Sequence, residues 1–284
     1  MREVRPEMPA PRRSRFGWPL SAAILALALA LGLAGGVRAD FDEGWAAYQK
    51  ADFGGALKHW QPLAENGDRR AQYNLGVLFD EGKGVRQDRD QAIAWWQKSA
   101  AQKFAPAQHN LANHHIAGDG VTRDFDRALG LLHQAADQGL ARSQYTLGKM
   151  YAYGLGVAKD LGEAVKWIHL AAEQGFAKAQ YNLGKFYRDG KGVTRDLATS
   201  VQWFQRAAEQ GHVRAQSRLG TRYARGEGVA RDDVTALFWT LLAAREGEAA
   251  AAENAKALRQ RMTPTQVGEA ERRSAAWSPQ LRSN

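Results

Sequence analysis

The chain has 284 residues and no cysteine, which excludes a disulfide framework, a thiolate metal site and a lipid attached at a cleavage-site cysteine. Its formal net charge of +9 suggests nucleic acid until it is divided along the chain: residues 1–39 hold six arginines against two glutamates, leaving 33 basic and 28 acidic side chains, a balance of +5. That mild excess suits an acidic protein, an anionic cell-wall polymer or a lipid surface better than nucleic acid.

Arg2, Arg5, Arg12, Arg13 and Arg15 precede an uncharged stretch from Phe16 to Val37 that ends in GGVRAD. A basic region, an apolar run and small residues at Val37 and Ala39 predict a signal peptide over residues 1–39, cut before Asp40. This implies a periplasmic or secreted protein and removes the usual nucleic-acid partners. The competing reading is an uncleaved leader that anchors the chain in the inner membrane, since about 20 apolar residues span a bilayer. The alanine-rich run and its interruption at Gly35 and Gly36 favour cleavage. In RRSRF the phenylalanine stands one place late for a twin-arginine motif, which favours ordinary Sec export.

From Asp40 the pattern becomes helical. A short helix is expected from Asp42 to Lys50, and ADFGGALKHWQPLAENGD from Ala51 supplies the second helix of a partial unit over residues 40–68. The hexamer AQYNLG then appears at Ala71 and again at Ala179, with relatives AQHNLA at Ala107, SQYTLG at Ser143 and AQSRLG at Ala215. These segments keep a strict period of 36 residues, the signature of stacked supersecondary units.

Each unit reads as two helices joined by a glycine turn. In the first, Leu75, Leu111, Leu147, Leu183 and Leu219 are followed four residues later by Phe79, His115, Tyr151, Tyr187 and Tyr223, on one helical face. Gly76, Gly148, Gly184 and Gly220, with Ala112 in the second unit, recur inside this helix although a mid-helix glycine costs about 1 kcal/mol, so close packing is expected there. The turns GKGV, GDGV, GLGV, GKGV and GEGV follow. No strand precedes them and no Walker sequence is present, so they read as chain reversals and not as a phosphate cradle.

Asp88, Asp124, Asp160, Asp196 and Asp232 are placed to cap the second helix, with Gln91 and Glu163 positioned for reciprocal capping boxes. That helix carries Trp95, Leu131, Trp167, Trp203 and Trp239 as its expected core column and ends at Gly139, Gly175, Gly211 or Gly247. After Glu248, AAAAENAKALRQRM and TPTQVGEAERRSAAW predict two closing helices within residues 249–284, the second capped by Thr263 with Pro264 and Gln266 in capping-box order.

The run from Ala177 to Gly211 carries the repeat almost whole and resembles the Sel-1-like repeat, a relative of the tetratricopeptide repeat. Five copies span residues 69–248, and the partial unit at 40–68 resembles a plain tetratricopeptide repeat because it lacks the G-x-G-V turn. The resemblance implies an all-α, right-handed superhelical solenoid that holds protein or peptide partners in a concave groove.

Chemistry is harder to find. His109, His114 and His115 look like a metal cluster, but on a helix His109 points about 140° from His114 and about 120° from His115. Nothing nominates a nucleophile, base or oxyanion hole, so no catalytic residue, cofactor or metal is expected. Numbering each unit from Arg69, Ala105, Ala141, Ala177 and Val213, positions three, seven, ten and eleven form the core stripe, and two, five, six, nine and thirteen lie opposite.

These opposite positions supply the candidate partner site: Arg70, Arg142, Lys178 and Arg214 at the second; Tyr73, Tyr145 and Tyr181 at the fifth; Asn74 and Asn182 at the sixth; Lys149 and Lys185 at the ninth; with Arg188 one column over. Basic groups beside tyrosines suit an extended acidic segment, and the asparagine amides offer a donor and an acceptor to its backbone. A solvated basic face, with asparagines capping local backbone, is the competing reading of the same columns.

Charge is uneven as well. Residues 40–68 carry two basic and six acidic groups, whereas residues 177–212 carry six basic and three acidic, so the partner is expected on the half from Arg142 onward. The expected function is an exported, non-catalytic scaffold binding a protein or peptide. The alternatives are a periplasmic assembly factor for an exported polymer or secretion machine, and a cell-wall-acting hydrolase. The last rests on relatives linked to envelope and β-lactam chemistry and is opposed by the lack of a Ser-x-x-Lys signature.

Overall fold

The computed structural model describes residues 40–280, so the leader and its cleavage site lie outside the described residues. All regular elements described are helices: α1 (40–49), α2 (Phe53–Glu65), α3 (Arg69–Glu81), α4 (Arg89–Ala101), α5 (Ala105–Ala117), α6 (Phe125–Asp137), α7 (Ala141–Tyr153), α8 (Leu161–Glu173), α9 (Ala177–Asp189), α10 (Leu197–Glu209), α11 (Val213–Arg225), α12 (Asp233–Arg245), α13 (Ala249–Arg259) and α14 (Pro264–Ala276). From α2 to α13 each helix packs on the next, and α14 packs on α12. The result is an α-solenoid with period 36, as the repeat predicts.

The turn glycines set the stacking. Gly82 ends α3 in the left-handed conformation at φ 66°, and its N–H donates to Leu78 O. Gly84, at φ 70°, lies against the first residue of the preceding second helix, where an added Cβ would come within 2.7 Å of the Phe53 carbonyl carbon. Each turn therefore both reverses the chain and rests on the unit before it.

The five aspartates cap as expected; Asp88 Oδ1, for instance, accepts from Gln91 N at 3.0 Å. The reciprocal boxes expected at Gln91 and Glu163 do not form. The Asp88 and Asp160 N–H groups already donate to Phe79 O and Tyr151 O, at 2.9 and 3.0 Å, across the unit. Gln91 donates instead to Asp88 Oδ2, and Glu163 pairs with Lys166. The box does form at the closing helix, where Thr263 N donates to Gln266 Oε1 at 2.9 Å and Gln266 N to Thr263 Oγ1.

Packing follows the predicted stripe on the first helices but shifts by one residue on the second. Beside the fully buried small residues, the column that points inward is Trp96, Leu132, Ile168, Phe204 and Thr240. Trp95, Leu131 and Trp167 are only half-buried, although Trp203 and Trp239 are buried. The expected column lies between successive second helices, where His133 meets Trp167 edge-on at 5.7 Å and His169 meets Trp203 at 5.6 Å.

A glutamine ladder that the repeat reading overlooked joins the units. Gln72, Gln144, Gln180 and Gln216 are buried and each donates to a carbonyl at the end of the preceding helix. Gln102, Gln138, Gln174 and Gln210, the C-caps of α4, α6, α8 and α10, reach back to the side-chain oxygens of Gln72, Gln108, Gln144 and Gln180 at 2.7–2.9 Å. At the far end Ala270 and Ser274 of α14 are buried, and the Trp277 ring lies 6.4 Å from that of Trp239.

Candidate functional site

The first helices of successive units present their free faces to one side, and on α7, α9 and α11 these faces border an open cavity of about 510 Å³. It is lined by Tyr145, Lys149, Lys178, Tyr181, Asn182, Lys185 and Arg214, all named from the repeat columns, and also by Tyr153, His212 and Val213. Four cations and no acidic side chain line it.

The tyrosines form its walls. Tyr145 packs edge-on against Phe176 at 5.3 Å, and Tyr181 stacks on His212 at 4.6 Å with 22° between the rings. Phe176 and His212 are the residues that immediately precede α9 and α11, so each unit's tyrosine is held by the N-cap of the next. The fifth column is accordingly less free than its position predicts: Tyr181 is 9% exposed and its counterpart His109 is 7% exposed. Lys149 Nζ lies 5.8 Å from the Tyr145 ring centre and Lys185 Nζ 5.7 Å from that of Tyr181, so the cations lie beside aromatic faces.

Asn182 Nδ2 donates to Tyr145 OH at 2.8 Å and to Lys178 O at 2.9 Å, cross-linking α7 and α9 and leaving its carbonyl oxygen as the amide's acceptor. Burial pushes the Tyr145 hydroxyl pKa up, and Asn182 pulls it partly back. Burial, followed by the charges of Arg214 and Lys178, lowers the His212 pKa. Its Nδ1 accepts from Ala215 N at 3.2 Å, which fixes His212 as a neutral cap.

The remaining named residues lie elsewhere. Arg70 turns back to Asp68, the N-cap of α3, at 3.2 Å and covers the Phe41 ring at 4.0 Å. Tyr73 packs on Phe104 at 5.5 Å, and Asn74 is half-buried on the same helix. Arg142 does not line the cavity; its Nε is buried without a partner among the described residues, and its charge bears on His109. Arg188 places Nε and Nη2 on the two carboxylate oxygens of Asp189, at 2.6 and 2.9 Å.

The three clustered histidines diverge: His109 Nδ1 meets Ser143 Oγ at 2.9 Å, His114 Nδ1 meets Asp119 O at 2.7 Å, and His115 Nδ1 meets Thr122 O at 3.5 Å. Exposed Asp40 and Glu43, with half-buried His59, bring ligand atoms within 4.8 Å of one another at the first unit, far in sequence from the groove.

The Sel1 repeat family profile matches residues 69–104, 105–140, 141–176, 177–212 and 213–248, and the chain belongs to this family. A Sel1 repeat protein from Oxalobacter formigenes is 30% identical, with 83% of this chain and 98% of that one aligned and a TM-score of 0.73. A protective antigen of uropathogenic Escherichia coli strains is 26% identical over 83% of this chain and 67% of its own, with a TM-score of 0.46. An immunity protein from Pseudomonas aeruginosa is 21% identical over 73% of this chain and 83% of its own, with a TM-score of 0.50, and shares the fold. No curated protein matches significantly.

Proposed function

We propose that this Sel1-repeat chain is a non-catalytic scaffold whose groove across α7, α9 and α11 clasps an extended acidic segment of a protein partner. The observation that supports it is convergence: seven residues from three units, chosen by column alone, line one cavity that contains lysine and arginine but no carboxylate. The half-buried Tyr145 ring and the exposed edge of Tyr181, both fixed by neighbouring caps, give the segment apolar surface, and the lysines beside them pair with its acidic side chains.

The leader reading extends this proposal. Residues 1–39 export the chain and are removed before Asp40, so the groove works in the periplasm. No described helix is long and apolar enough to cross a membrane.

The test is cross-linking and affinity purification of the chain from envelope extract, set beside a Lys178→Glu/Lys185→Glu variant. The proposal expects a protein partner lost from the variant; identical partners from both would overturn it. Sequencing the N-terminus of the purified chain tests export, with Asp40 as the expected first residue.

A further inference from the structure

Beyond the groove, the fifth unit breaks the packing pattern. The tenth position of the first helix holds Leu78, Met150 and Phe186 in three other units but Arg222 here. Leu78 and Met150 are fully buried. Arg222 occupies the equivalent place: its side chain is 13% exposed, Nη1 pairs with Glu227, and Nε is buried with no hydrogen-bond partner among the described residues. Burial first, and then the charges of Arg188, Arg218 and Arg225, lower its pKa. A guanidinium in a core position among its own kind is costly, and hydrophobic residues fill that position in three of the four sister units, the second unit having His114 there.

Arg222 borders a cavity of about 380 Å³ between α11 and α13 whose lining includes Arg218, Arg225 and Arg261, with Thr221 and Asn254 beside them. No acidic residue lines it. The carboxylates paired with this group are Glu227, shared by Arg222 and Arg225, and Asp233, which Arg261 shares with Arg231. Four lining guanidinium groups and Arg231 share two carboxylates, which leaves at least two positive charges at the cavity unmatched.

We propose that this cavity binds a dianionic phosphate group, free or as the monoester of a small molecule. A phosphomonoester brings about −1.5 to −2 charges and three acceptor oxygens to one point, whereas a carboxylate brings a single charge. Arginine forks match phosphate oxygens in pairs. The volume falls within the range of about 300–1,000 Å³ usual for small-molecule sites and leaves room for a sugar-sized body. The acidic-segment reading is separate, because none of these four arginines lines the cavity at Tyr145.

The experiment is calorimetric titration of the full chain with inorganic phosphate, and separately with succinate, at matched ionic strength and a pH where phosphate is mainly dianionic. Saturable phosphate binding is expected, with succinate weaker by about tenfold or more. Arg218→Gln and Arg225→Gln, at exposed positions, each weaken phosphate by about tenfold, and Arg214→Gln leaves it unchanged. Arg222→Met, which installs the residue of the third unit, abolishes phosphate binding while raising Tm, a combination that misfolding cannot produce. Absence of saturable heat, succinate binding as tight as phosphate, or full phosphate affinity in Arg222→Met would each overturn the assignment.

Discussion

Gly184 on α9 faces Phe204 on α10 so closely that a Cβ on the glycine would stand 2.7 Å from the ring carbons Cδ1 and Cε1. The same relation pairs Gly76 with Trp96, Gly148 with Ile168 and Gly220 with Thr240. Gly44 and Trp60 repeat it in the first unit, where the indole donates to Phe41 O at 3.2 Å as Trp96 donates to Tyr73 O at 3.1 Å. In the second unit, where Ala112 replaces glycine, Leu132 occupies the partner column.

This pairing predicts a compensated double mutant. Gly184→Ala overpacks the contact by about 1–3 kcal/mol, offset in part by about 1 kcal/mol of helix propensity. Adding Phe204→Leu recreates the Ala112–Leu132 pair. Urea unfolding should show the double variant more stable than the sum of the singles by about 1 kcal/mol or more; simple additivity would refute the pairing.

The glutamine ladder predicts a stabilising substitution. Gln216 Oε1 is buried without a hydrogen-bond partner among the described residues. Thirty residues on, where the earlier rungs have Gln102, Gln138, Gln174 and Gln210, the C-cap of α12 is Glu246, whose ionised carboxylate has no proton to donate. Glu246→Gln should raise unfolding stability by about 0.5–1.5 kcal/mol at neutral pH, read as a higher urea midpoint with the slope unchanged. Gln210→Ala should lower it by a similar amount.

Period and polarity alone conveyed the helices, the turns and the aspartate caps, because each depends on chemistry local to one unit. What the sequence concealed belongs to contacts between units. The glycines announced close packing but not their partner, since Trp95 and Trp96 are adjacent and pattern alone does not say which one points inward. Gln72 carries no local signal beside Tyr73 and Asn74, because its bonds go 8 residues back and 30 forward. In the groove, Tyr145, Lys178 and Lys185 were legible as periodic columns, whereas His212 and Val213 were missed because they sit at the joint between units. Arg222 was hidden by standing at a position that reads as core.

Acid should weaken the second unit first. Burial, and then the charge of Arg142, lower the His109 pKa from 6.5 to about 4. A folded-state pKa below the unfolded one means that the unfolded chain binds more protons between these values. Stability is therefore complete above about pH 6.5 and falls as pH drops toward 4, by on the order of 3 kcal/mol. His212, lowered in the same direction, adds slope of the same sign. The fifth position is tyrosine in three units, each followed by alanine at the third position of the next, where His109 faces Ser143. His109→Tyr/Ser143→Ala should flatten the slope in urea unfolding at successive pH values; an unchanged slope would show that His109 is not its main source.

The groove makes an electrostatic prediction that separates it from a merely basic surface. A short fluorescent Asp/Glu-rich peptide should bind the chain with an affinity that falls as salt rises, because exposed charges are screened beyond about 8 Å at physiological ionic strength. Lys178→Glu and Lys185→Glu should each weaken it by about tenfold, since reversal removes one attraction and adds one repulsion. Arg142→Glu and Arg188→Glu carry the same change of charge on residues that do not line the cavity, and should weaken it far less. If all four reversals acted equally, net charge and not the cavity would be recognising the peptide. Tyr181→Leu adds a measure that net charge cannot mimic: it removes the ring stacked on His212 and should weaken the peptide with its salt dependence intact.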